Sequence, residues 1–108
     1  MNMAATHIKQ RVMLDEMDIR RLPNGSRILF SIKFVTQSGE LRYFPLAYVC
    51  GLPWDVKSSR MRGIQPCDKF ENATDHVYPV GIDNIILYNN MQVMLQLWIY
   101  SIQKTVLR

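Results

Sequence analysis

Large apolar residues alternate at Ile28, Phe30, Ile32 and Phe34, and the polar run Thr36-Gln37-Ser38-Gly39-Glu40 parts them from a second extended segment, Leu41-Arg42-Tyr43-Phe44. A period of two places every second side chain of a strand on one face, so those four residues share one face while Ser31 and Lys33 share the other. Gly39 supplies the positive φ that a short hairpin loop needs. The pattern predicts a β-hairpin, and the fold class follows from it.

The rest of the chain is punctuated in the same style. Glycines at positions 25, 39, 51, 63 and 81 recur about every 12 to 18 residues, the spacing of short strands joined by turns. Met17-Asp18-Ile19-Arg20-Arg21-Leu22 leads into Asn24-Gly25, a strong hairpin signal, and is expected to pair with Arg27–Val35 as a meander. The segment before it, with Ile8, Val12 and Leu14, reads as a strand, although Met13 and Met17 would also meet on a helix. Ile82-Asp83-Asn84-Ile85-Ile86-Leu87-Tyr88 and Met91-Gln92-Val93-Met94-Leu95 flank Asn89-Asn90 and predict another hairpin, because asparagine tolerates positive φ. The last strand is expected to extend to about Tyr100.

Between Gly51 and Gly81 the periodicity stops, and Pro53, Gly63, Pro66 and Pro79 mark a long irregular loop at 51–81. The expectation is one all-β domain over residues 1–108, a small antiparallel barrel or sandwich of about five to seven strands built from hairpins. A chain of 108 residues, 48% hydrophobic and 20% charged, suits a single folded core rather than a disordered segment. The expected core is Val12, Leu14, Ile19, Ile28, Phe30, Ile32, Phe34, Leu41, Tyr43, Ala47, Val49, Ile85, Leu87, Val93 and Leu95.

The sequence offers little chemistry. Cys50, Cys67, His7 and His76 are the soft metal ligands, and none forms a closely spaced pair of the kind zinc sites use, so neither a metal nor a cofactor is expected. A hydrolase would need His76 oriented by Asp75 or Asp83 beside a nucleophile such as Ser58, Ser59 or Cys67, and no nucleophile-elbow motif accompanies them. No enzyme is expected. Two cysteines without a disulfide framework, an N-terminus without an apolar signal core and no membrane-length apolar run point to a cytoplasmic address.

Two binding readings remain. Bare strand edges and a C-terminal stretch apolar on both faces point to a non-enzymatic interaction or assembly module, its partner another protein or further copies of the chain. Met94, Trp98 and Tyr100 are the residues expected at that contact. The alternative is a single-stranded nucleic-acid-binding module in which Lys57, Arg60 and Arg62 grip phosphate while Trp54 and Phe70 stack on bases. The net charge of +4 permits that reading without demanding it.

Overall fold

The computed structural model describes residues 6–54 and 59–95. Seven strands form one sheet: β1 (His7–Lys9), β2 (Phe30–Val35), β3 (Leu41–Cys50), β4 (Met61–Pro66), β5 (Tyr78–Gly81), β6 (Ile85–Tyr88) and β7 (Met91–Met94), with helix α1 (Gln10–Met17) after β1. The spatial order is β1-β7-β6-β2-β3-β4-β5, so the protein is all-β in class. The sheet is mixed, because β1 lies parallel to β7 while the other neighbours are antiparallel. It does not close on itself, so it is a single open sheet to which the expected barrel or sandwich corresponds loosely.

Helix α1 bridges the two ends of that order. The Gln10 side-chain amide donates to Asp83 Oδ1 at 2.8 Å and to the Ile82 carbonyl at 3.4 Å, just beyond β5. At the C-terminal end of the helix, Asp18 holds the Arg62 guanidinium of β4, the neighbour of β5, through paired contacts of 2.9 and 3.1 Å. From the middle, Glu16 accepts a 2.8 Å bond from the buried Tyr88 hydroxyl of β6. Burial, and then the bond to Glu16, push the Tyr88 phenol upward, keeping it a neutral donor.

The predicted strand over Ile8–Leu14 is therefore corrected to three residues of strand followed by helix. Met13 and Met17 lie four residues apart, share a helical face and are buried, whereas Val12 is 50% exposed. The helix has no side-chain cap and only eight residues, so its stability comes from packing those two methionines.

The turn at Asn24-Gly25 is present. Gly25 has a φ of +87°, its N–H donates to the Leu22 carbonyl at 2.8 Å, and the Leu22 N–H donates to the Ser26 carbonyl at 2.8 Å. Its flanks are not strands, and Ile28 lies outside β2. A strand has only two edges, and β2 spends them on β3 and β6, leaving none for Met17–Leu22. Ile19 and Leu22 are accordingly exposed.

The two hairpins built on Gly39 and on Asn89-Asn90 form as expected, the latter with φ of 49° and 63° at its asparagines. The 51–81 excursion contains β4 and β5. Ile64, buried and paired with Val49 and Tyr78, brings the sheet core into a stretch whose prolines and glycine hide any alternation.

The buried core contains Phe30, Ile32, Phe34, Ala47, Val49 and Ile85 from the expected set, together with Ile8, Met13, Met17, Ile64, Val80 and Tyr88. Leu14 and Val93 pack against it from partly buried positions. Ile28, Leu87 and Leu95 are half-buried, and Val12, Ile19, Leu41 and Tyr43 are exposed.

Candidate interaction surface

Leu41 and Tyr43 are misplaced by the sequence for a local reason. Phe30 pairs with Ala47 and Ile32 with Phe44, so β2 advances two residues while β3 retreats three. The extra residue in β3 is a bulge around Pro45. Past the bulge Ala47 and Val49 face the core; before it Phe44 does, and Leu41 and Tyr43 point away. A second irregularity occurs in β6, where Lys33 pairs with Leu87 but Phe34 with Ile85, leaving Ile86 unpaired and 40% exposed.

These shifts build an apolar outer face. Register places Tyr43, Lys33, Leu87, Gln92 and His7 in one row across β3, β2, β6, β7 and β1. The neighbouring pair Val35–Leu41 continues it on β2 and β3. Met91 and Val93 pack against the core, so Met94 turns outward on β7, half-buried. Leu41 is 56% exposed and Tyr43 51%. The expected contact residue Met94 thus belongs to this face, while Trp98 and Tyr100 lie outside the described residues.

The residues expected to bind nucleic acid are arranged differently. Arg62 is buried and engaged with Asp18. Arg60 is exposed but forks onto Asp83, with contacts of 2.8 and 3.1 Å. Trp54 and Phe70 are exposed, and the Lys69 ammonium stands 5.1 Å from the Phe70 ring centroid. Lys57 lies outside the described residues. Both arginines are engaged by exposed carboxylates, Arg62 from a buried position and Arg60 from an exposed one.

The remaining polar clusters serve local structure. Asp75 does orient His76, with Nδ1 2.8 Å from Oδ1, and the imidazole stacks on Tyr78 at 4.2 Å. Cys67 is buried, and desolvation, Asp68 and Glu71 raise its thiol pKa, away from the thiolate a nucleophile requires. Among the described residues no group of three His, Cys, Asp or Glu side chains is placed to hold a metal ion, and no helix is long and apolar enough to cross a membrane.

No protein-family model, curated protein or solved structure matches the chain.

Proposed function

We propose that the protein is a non-enzymatic interaction or assembly module, and that its contact surface is the outer face of β3, β2, β6 and β7. The observation that carries this reading is the outward placement of Leu41, Tyr43 and Ile86, large apolar side chains on the two strands that flank β2. Contiguous exposed apolar area is uncommon on a monomeric protein and marks contact sites. A tyrosine on this face suits a contact, since tyrosine is enriched among residues that dominate binding energy.

The edges support the face over edge pairing. β5 carries Pro79, which has no N–H to offer, and β1 is three residues long. Short or proline-bearing edge strands resist pairing with another chain. The nucleic-acid reading is less favoured because Arg60 and Arg62 already have carboxylate partners. Two free thiols, Cys50 and Cys67, support a reducing, cytoplasmic setting.

Two measurements, each made on the protein with and without nuclease treatment, test the proposal. The dye anilinonaphthalene sulfonate should fluoresce with the native protein, and the double substitution Leu41→Ser, Tyr43→Ser should remove most of that signal while leaving the urea midpoint nearly unchanged. Light scattering in the same run reports whether the occupant is another copy. A native protein that neither binds the dye nor associates, or one whose mass depends on co-purified nucleic acid, overturns the proposal.

A further inference from the structure

The outer face is chemically one-sided. None of the described strands contains Asp or Glu; the acidic residues among the described positions fall in helical turns, bends and loops. The outward positions of β1, β7, β6, β2 and the first half of β3 hold Leu41, Tyr43, Val35, Leu87 and Met94, the neutral polar residues Ser31 and Gln92, His7, and the cations Lys33 and Lys9. Lys33 sits between Tyr43 and Leu87 in the cross-strand row, half-buried, and makes no ion pair or hydrogen bond among the described residues. The nearest hairpin carboxylate in sequence, Glu40, is occupied by Arg42 at 2.6 Å.

Resting on the face proposed above as the contact surface, we infer that its occupant is an acidic amphipathic segment of another protein, apolar toward Tyr43, Leu41 and Leu87 and carrying a carboxylate to Lys33. Charge complementarity selects this occupant among the alternatives. A second copy meeting face to face would set Lys33, without a partner among the described residues, against strands that carry no acid. The chain's own undescribed stretches offer no better match: residues 96–108 bring Lys104 and Arg108 and no acidic side chain, residues 1–5 bring no charged side chain, and residues 55–58 bring Asp55 together with Lys57 in a run too short to cover the face. An anionic bilayer would have to take the Lys33 ammonium into the middle of an apolar contact. A protein partner satisfies it with a single placed carboxylate, which also sets the orientation of docking.

Charge reversal provides the test. Two short amphipathic helical peptides with the same leucine face are used as probes, one flanked by glutamates and the other by lysines, with fluorescence anisotropy as the readout. The native protein should bind the Leu/Glu peptide more tightly than the Leu/Lys peptide. Lys33→Glu should weaken the first by about threefold to tenfold and invert the preference. Tyr43→Ser should weaken both. Equal binding of the two peptides, insensitive to Lys33→Glu, overturns the acidic partner while leaving the apolar contact surface standing. Association of the protein with itself, lost in the Leu41→Ser, Tyr43→Ser variant, has the same consequence and identifies a second copy. Flotation with phosphatidylcholine–phosphatidylglycerol vesicles without peptide discrimination assigns the face to a membrane and overturns the inference. Failure to bind either peptide, vesicles, the dye or another copy removes the contact surface as well.

Discussion

At the scale of single residues, Gly63 is the position where the backbone leaves least room. A Cβ built there would stand 2.7 Å from the Cys50 carbonyl oxygen and 3.1 Å from that of Gly51, while one at Gly51 meets nothing within 4 Å. The obstruction is paired backbone, since Gly63 lies opposite Cys50 in the β3–β4 ladder and opposite Pro79 on its other side. Gly63→Ala should therefore cost about 1–3 kcal/mol by forcing β3 and β4 apart. Gly51→Ala should stay within about 0.5 kcal/mol. Urea titrations of both variants check this, and equal tolerance would contradict the close approach. The Arg62–Asp18 pair follows a related logic: a guanidinium this enclosed is retained because its carboxylate travels with it from the end of α1.

At the scale of elements, β2 is the centre of the sheet, with β3 on one edge and β6 on the other. Its alternation survives intact: Phe30, Ile32 and Phe34 are buried, while Ser31, Lys33 and Val35 face out half-buried. Phe30 packs its ring 5.2 Å from that of Tyr88. Phe30→Ala should cost about 3–5 kcal/mol through lost burial and a cavity. Lys33→Ala should change stability by no more than about 0.5 kcal/mol, since its side chain faces outward and leaves no cavity in the core. Denaturant midpoints that move equally would place both residues wrongly. This alternation was legible because it is local. In β3 the same rule fails at Pro45, and the signal was there to read: a proline inside a strand marks a bulge or an edge, and a bulge reverses every side chain beyond it. Ile85-Ile86-Leu87 offered no comparable marker, because three consecutive apolar residues fit either facing.

At the scale of the whole molecule, the acidic residues outside the sheet tie its loops and ends together. Asp83 is held below the ordinary carboxyl range by its bond from Arg60 and then that from Gln10. Asp68 is lowered chiefly by the Asn72 N–H, and also by those of Phe70 and the Asn72 side chain, across the 68–72 turn. Asp75 is lowered by the His76 N–H first and by Tyr78 after it. A carboxylate whose pKa is depressed in the folded state leaves the unfolded chain binding more protons at acid pH, so stability rises with pH through that window. Stability should hold from neutral pH down to about pH 4, the ordinary carboxyl value, and then decline as the three groups protonate. Asp83→Asn should flatten part of the decline. Urea midpoints measured from neutral to strongly acid pH report it, and a midpoint that does not move below about pH 4 would remove these carboxylates from the stability of the fold.

The sequence by itself determined the β class, the turns at Gly25, Gly39 and Asn89-Asn90, the facing of β2, and the outward positions of Lys33 and Met94. Each rests on chemistry within a few residues, either a side-chain period of two or a backbone that must take positive φ. The tertiary structure decided what depends on distant partners. It paired β1 with β7, gave both edges of β2 to β3 and β6, and thereby denied Met17–Leu22 a place in the sheet. It resolved the ambiguity of Gln10–Met17 in favour of helix, since only packing stabilises an uncapped eight-residue helix. It also turned Arg60 and Arg62 onto Asp83 and Asp18, residues 23 and 44 positions away, a pairing no local pattern encodes. The proposed contact surface has the same mixed origin. Its residues are strand formers readable from the chain, but their exposure follows from two bulges, and a bulge becomes definite only when the neighbouring strand sets the register.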